Sequence, residues 1–228
     1  MAGVLYAIPT PLGASPEESL PAGVLLTVRA LRDFAVENAK SARAFLAAAG
    51  CDPKKASIRE LGDETDLAPL LAPLREGRAL GLLSEAGCPG LADPGARLVA
   101  AAHREGFRVM PLVGPSAIVL ALMASGLQGQ RFAFRGYLPR ERGERERRIR
   151  ELEARSHGER ETQIVIETPY RSDALLQALV RTCAPATLLC VATDLTLPTE
   201  SVRTRPIARW REAGHTIGKR PTVFLLLA

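Results

Sequence analysis

ALGLLSEAGCPGLADPGARLV, residues 79–99, changes character twice within its length. The apolar run 79–83 is bounded by turn residues and reads as a short buried strand. Gly87, Pro89, Gly90, Pro94 and Gly95 follow, too many breakers for either a helix or a strand. From Ala96 the spacing is helical, with Leu98, Val99 and Ala102 on one face. A strand that enters a long turn and then a helix is the repeating step of an open α/β sheet. In such sheets the turn sits at the carboxyl end of the strand, where ligands bind. Glycines there remove the Cβ atoms that would hold a ligand off the main chain. Prolines withhold N–H donors, which predicts exposed carbonyls suited to a cationic or amine-bearing ligand. The same composition also fits an ordinary strand–helix connection.

The rest of the chain repeats this step. The patterns predict strands over 4–8, 34–37, 57–61, 107–112, 131–138, 162–167, 187–192 and 221–227. They predict helices over 24–31, 41–49, 67–76 (capped by Asp63 or Thr65), 118–123, 140–155, 173–182 and 206–212. The breaker-rich stretch up to Pro21 reads as loop. Opposite charges at helical spacing in RERGERERRIRELEAR predict a solvated, salt-bridged helix, with a phosphate-binding surface as the alternative. The expected domain boundary lies between 1–136 and 137–228, each an α/β lobe.

Composition narrows the function classes. The chain has 228 residues, enough for one large or two small domains. Hydrophobic content of 46% and charged content of 24% are those of a globular protein. Aromatic content is 4%, which argues against a base-stacking platform for single-stranded nucleic acid. The net charge of +5 permits a polyanionic partner without requiring one. Cys51, Cys88, Cys183 and Cys190 have no CxxC spacing, and the three histidines are scattered. The expectation is no metal site, no disulfide framework and a reduced, cytoplasmic setting. The chain enters VLYAIPTP without a basic region ahead of it, and no apolar run is long enough to span a membrane. No export signal and no membrane association are expected.

Five separated stretches carry a resemblance. IPTPLG at 8–13, SEAGCPGLADPGARLV at 84–99, VGPSA at 113–117, FRGYLP at 134–139 and IETPYR at 166–171 occur in that order. Together they resemble the tetrapyrrole methylase superfamily, and within it the ribose 2′-O-methyltransferases of small-subunit rRNA. The resemblance implies a two-lobed α/β fold, each lobe a mixed sheet flanked by helices. It implies a homodimer and S-adenosyl-L-methionine in the cleft between the lobes, with rRNA or the small ribosomal subunit as partner. By position, Pro11 of the first loop, Glu85, Gly87, Cys88 and Leu91 of the second, and Ser116 and Ala117 of the third match cofactor contacts. Glu167, Thr168, Pro221 and Thr222 match those of the second lobe. Porphyrin-type members carry Gly-Asp-Pro where this chain has Gly87-Cys88-Pro89, a departure that the rRNA type shares. Glu37 and Arg43 match the substrate-side stretch of the rRNA type, and Lys40 keeps only the charge there. Tyr170 stands where that type usually has His.

Methyl transfer from a sulfonium needs position and a dry cleft more than titratable groups, because the cofactor supplies the reactivity. A ribose hydroxyl is a poor nucleophile, so a base is expected. Glu37 is the candidate, and an ion pair with Lys40 or Arg43 is its structural alternative. Lys40, Arg43 and Arg171 are candidate substrate contacts, with Arg135 and Arg140 as further cations able to meet phosphate. Two other functions remain open: the same fold acting on a tetrapyrrole or other small molecule, and a non-catalytic relative that binds cofactor or RNA.

Overall fold

The first half of the chain alternates strand and helix as its hydrophobic periods require. In order it forms β1 (Val4–Ile8), α1 (Pro16–Ser19), α2 (Ala22–Ala30), β2 (Asp33–Val36), α3 (Ala39–Ala48), β3 (Ser57–Glu60), α4 (Ala68–Arg75), β4 (Leu80–Leu83), α5 (Gly95–Arg104) and β5 (Arg108–Pro111). The computed structural model describes residues 3–212 and 214–228. Two units are present, Met1–Ser116 and Ala117–Ala228.

The first unit's sheet runs β3-β2-β4-β1-β5 and is parallel throughout. β2 and β4 are buried at every position, as strands covered by helices on both faces must be. Alternate side chains part to opposite faces. Ile8, Phe34, Val36 and Leu83 pack with Val24 and Val28 of α2 and with Phe45 and Leu46 of α3. Leu5, Ala35, Leu80 and Leu82 face the other way, onto Leu70 and Leu74 of α4 and Leu98 and Ala102 of α5. Burying one such leucine contributes about 1.5–3 kcal/mol of transfer free energy.

This division of helices follows from handedness. The steps from β1 to β2 and from β2 to β3 move one way along the sheet. The steps from β3 to β4 and from β4 to β5 move the other way. Right-handed crossovers then put α2 and α3 on one face and α4 and α5 on the other. β1 and β4 lie side by side and send their chains off in opposite directions. The carboxyl ends of that pair are where such a sheet opens for a ligand.

The second unit contains α6 (Ala117–Ser125), β6 (Phe132–Tyr137), α7 (Arg142–Glu159), β7 (Thr162–Glu167), α8 (Ser172–Thr182), β8 (Leu188–Thr193), β9 (Ser201–Pro206), α9 (Ile207–Glu212) and β10 (Thr222–Leu227). Its sheet runs β6-β7-β10-β8-β9, with β6 parallel to β7 and the remaining pairs antiparallel. Val165, Leu189, Val191, Phe224 and Leu226 meet Ile149 and Leu152 of α7, Leu175 and Leu179 of α8, and Trp210 of α9. The apolar α6 packs on β8, β9 and β10. α7 is the expected solvated helix. Arg142–Glu146, Arg148–Glu151 and Arg155–Glu159 pair along it, and its buried residues are Ile149, Leu152 and Ser156.

Four expectations differ from the structure. The unit boundary falls at Ser116/Ala117, upstream of 136/137, because β6 is hydrogen-bonded to β7 and α6 lies on the second sheet. β9 was not expected. Its sequence SVRTRP carries two arginines and a proline, residues that suit an edge strand paired on one side only. The loop before Pro21 contains α1, closed by a capping box in which Ser15 and Glu18 satisfy each other's backbone. α4 is capped by neither Asp63 nor Thr65. Leu67 holds the cap position, and the Thr65 hydroxyl accepts from the Gly62 amide instead.

Candidate functional site

Three loops leave the carboxyl edge of the first sheet and are laced to one another. Thr10, after β1, and Gly87, after β4, exchange both backbone hydrogen bonds at 2.9 and 3.0 Å. The buried Thr10 hydroxyl donates to the Ser84 carbonyl at 3.3 Å, and the Ser84 hydroxyl donates to the Gly87 carbonyl at 3.0 Å. The Cys88 thiol donates to the carbonyl of Pro115, after β5, at 3.4 Å. The carbonyls of Ser84, Gly87 and Pro115 are therefore engaged by the loops themselves, contrary to the expectation that proline-rich turns leave them exposed. Burial pushes the Cys88 thiol up from its ordinary range, which fits a packing and hydrogen-bonding role in the loops.

Gly87 has φ 80°, a conformation that costs an L-residue roughly 1–2 kcal/mol. A Cβ built there would fill the gap between Leu12 Cδ2, at 3.3 Å, and the Pro115 oxygen, at 3.6 Å. Gly114 is constrained differently, by close approach. Its Cβ would lie 2.4 Å from Cβ of Pro9 and 3.0 Å from Leu20 Cδ2. The Pro9 ring cannot rotate away. Gly114→Ala is expected to force the first and third loops apart at a cost of about 1–3 kcal/mol. Chemical denaturation measures the stability loss, and calorimetry with S-adenosylhomocysteine measures any loss of binding. Unchanged values in both would show that these loops yield freely.

Glu37 follows β2 directly, and its Oε2 accepts from the Glu85 amide at 3.0 Å. Glu85 in turn accepts from the Ser41 hydroxyl at 3.1 Å, so the start of α3 is tied to the loop after β4. The expected alternative for Glu37 is absent: among the described residues it makes no ion pair with Lys40 or Arg43. The Arg43 guanidinium reaches the Ala39 carbonyl at 3.4 Å instead. Partial burial raises the Glu37 carboxyl above its ordinary range. The neighbouring Asp93 and Glu85 add to this, and the hydrogen bond from Glu85 opposes it. Asp93 itself closes the turn, accepting from Gly90 and Gly95 at 2.7 and 2.8 Å. Leu91 is half exposed on that turn.

In the second unit, Glu167, Thr222 and Thr193 stand opposite one another on β7, β10 and β8. All three are buried, a row of polar side chains across one end of the sheet. Glu167 accepts from the Thr168 amide at 2.8 Å and pairs with Arg171 at 2.7 Å. Thr168 accepts the Ser172 hydroxyl at 3.2 Å, and the Pro221 carbonyl accepts the Asp194 amide at 3.1 Å. Residues 167, 168, 221 and 222, distant in sequence, thus lie together.

Pro11, Glu85, Gly87, Cys88, Leu91 and Ser116 belong to the loops at one edge of the first unit. Ala117 opens α6 of the second. Arg171 spends its charge on Glu167. Arg135 is equally committed, pairing with Glu161 at 2.8 Å and Gln163 at 2.7 Å, and is withdrawn as a phosphate ligand. Lys40 remains exposed at the rim. Sequence reasoning missed Thr10 and Ser84, whose hydroxyls hold the loops together. The threonine between two prolines was the available signal. It also missed Asp194, which accepts from Arg220 at 2.6 Å and Thr199 at 2.7 Å. Among the described residues no cluster of His, Cys, Asp or Glu could hold a metal ion, and no helix is long and apolar enough to cross a membrane.

This arrangement of strands is shared with solved methyltransferases. The chain superposes on the methyltransferase CobJ with a TM-score of 0.66 at 19% identity, covering 100% of this chain and 94% of that one. Uroporphyrin-III-C-methyltransferase from Thermus thermophilus gives 0.59 at 22% identity, with 100% and 93% covered. These likenesses define the class: a two-unit α/β protein with the tetrapyrrole methylase fold. No family model matches the chain. Its sequence is 31% identical over 205 residues to ribosomal RNA small subunit methyltransferase I of Escherichia coli O157:H7, covering 90% of this chain and 70% of that protein. The protein of the same name from Mesorhizobium japonicum is 34% identical over 200 residues, with 88% and 66% covered. The chain belongs to the ribosomal RNA small subunit methyltransferase I family and is a methyltransferase. It spans about two thirds of the length of these relatives.

Proposed function

We propose that the chain transfers a methyl group from S-adenosyl-L-methionine to the 2′-hydroxyl of a ribose in small-subunit rRNA. The observation that carries this reading is the sequence likeness across 90% of the chain to a relative named for that RNA. The loop chemistry fits the cofactor. A Cβ at Gly87 would fill the gap between Leu12 and Pro115, and the rim offers the half-exposed aliphatic Leu91 and the acid Glu85 toward a positively charged amino acid.

Pro11, Glu85, Gly87, Cys88, Leu91, Ser116, Ala117, Glu167, Thr168, Pro221 and Thr222 are assigned to hold the cofactor. When bound, it supplies an electrophilic methyl on a sulfonium. The chain's own task is to orient the acceptor and take its proton. Glu37 suits the second part: Oε2 is anchored by the Glu85 amide, while Oε1 has no protein partner among the described residues. A carboxylate raised above its ordinary range is a stronger base once ionised. Lys40 and Arg43, one and two turns into α3 from Glu37, are assigned to the RNA backbone. The homodimer is part of the same reading. Met123 of α6 is 75% exposed, an apolar side chain available to a second copy.

Mass mapping of rRNA methylation in a deletion strain, with and without this gene, tests the acceptor. Restoration of one ribose methylation is the expected result, and complementation without any restored mark would reject the rRNA reading. Binding to small-subunit RNA is expected to weaken steeply as salt rises, because each phosphate neutralised releases counterions. A flat salt response would exclude Lys40 and Arg43 as phosphate ligands.

A further inference from the structure

The second unit holds a crevice of about 440 Å³ that none of the assigned residues explains. Its floor is the helix-bearing face of β8 and β9, where Val191 stands opposite Arg203 and Thr193 opposite Ser201. Leu176 of α8, Trp210 of α9 and the segments around Thr199 and His215 form its walls. It adjoins the row of buried polar side chains at Thr193.

The lining combines cations with a flat aromatic wall. Arg203 is exposed on the edge strand, and no carboxylate lies within ion-pair distance of it among the described residues. Arg205, on the same face two residues on, meets His215 Nε2 at 3.2 Å and lies 5.8 Å from the Trp210 ring. His215 contacts Trp210 edge to face, with centroids 4.9 Å apart. The lining cations are Arg203 and Arg220, the latter's charge offset by Asp194, while Arg205 stands behind His215 and Trp210. Glu200 is the one acid of the lining, and it is held by the Thr196 amide at 2.8 Å. The segment that carries Thr199 and Glu200 is strained, with Asp194 at φ 50° and Thr196 at φ 75°. A β-branched residue in that region is a genuine outlier, retained where the surroundings fix it.

We infer that this crevice binds a nucleotide through its phosphate, with Arg203 as the principal anion ligand. An arginine fork with open donors matches phosphate oxygens bidentately. Ser201 adds a hydroxyl donor, whereas the Thr199 hydroxyl is spent on Asp194. The volume falls in the range of small-ligand sites and exceeds what a bare phosphate needs. Leu176, Val191 and the His215–Trp210 pair give the base and sugar an apolar wall. The assignment is independent of the methyl-transfer reading.

The whole chain, titrated by calorimetry with uridine 5′-monophosphate, uridine, inorganic phosphate and a short oligouridylate, tests it. Trp210 is the sole tryptophan of the chain, so its emission reports on the crevice. Saturable binding of the monophosphate with an accompanying change in Trp210 emission is expected, with uridine at least tenfold weaker. Arg203→Ala is expected to weaken binding by about tenfold, equivalent to ~1.4 kcal/mol, and Arg203→Lys by less. Tighter binding of the oligonucleotide identifies an RNA backbone as the source of the phosphate. A preference for the monophosphate identifies a free nucleotide. Equal binding of inorganic phosphate and the monophosphate, or a titration unaltered in Arg203→Ala, overturns the assignment. So does competition by S-adenosylhomocysteine, which would make the crevice part of the cofactor site.

Discussion

Glu37→Gln is expected to lower methyl transfer to the true acceptor by about 10²–10⁴-fold while leaving cofactor binding unchanged. Glutamine keeps an oxygen for the Glu85 amide, so the tie between the two loops survives and only the base is lost. The wild-type rate should rise with pH as Glu37 ionises, along a limb displaced above the ordinary glutamate value of about 4.3. The displacement comes first from burial, then from Asp93 and Glu85, against the Glu85 amide. The variant should lack that limb. Stability carries the opposite sign. A carboxyl raised by folding favours the folded state fully below its unfolded pKa, and that contribution is lost as pH rises through the folded value. Glu37→Gln should match wild type in acid and exceed it near neutrality. Unchanged turnover in single-turnover assays would remove Glu37 from the mechanism.

Arg171→Met is expected to cost about 3–5 kcal/mol, because it strands the Glu167 carboxylate without its cation. The Glu167 side chain is 1% exposed and that of Arg171 28%, so water cannot replace the guanidinium fully. Urea unfolding followed through Trp210 reads the second unit directly. The double variant Glu167→Gln with Arg171→Met should recover much of the loss, since no charge then lies buried. A loss under about 1 kcal/mol in the single variant would class the pair with exposed ion pairs. The arginine called a substrate ligand on sequence grounds thus has a structural duty in the folded chain.

What could be read from the sequence was what depends on near neighbours. The period-2 and period-3.6 runs mark nearly every strand and helix, since side-chain alternation is a local property of the backbone. The paired charges along α7 are likewise within one or two turns. β9 was illegible because an edge strand with Arg203 and Arg205 lacks the hydrophobic pattern on which strand recognition rests. Arg135 read as a phosphate ligand because its partners, Glu161 and Gln163, come from the next strand. The same holds for Glu37, whose neighbours in sequence are cations but whose neighbour in space is the Glu85 amide.

The sequence alone determined the alternating α/β character, the placement of glycine and proline at strand ends, and membership of the family through its ordered motifs. Only the tertiary structure decided that Thr10 is bonded to Gly87, that Glu167, Thr222 and Thr193 share a row, and that Arg203 faces a crevice beside Trp210. Local dihedral and burial preferences act over a few residues and leave a periodic trace. Strand order and register join residues tens of positions apart, and nothing in the local pattern records which partner the sheet supplies.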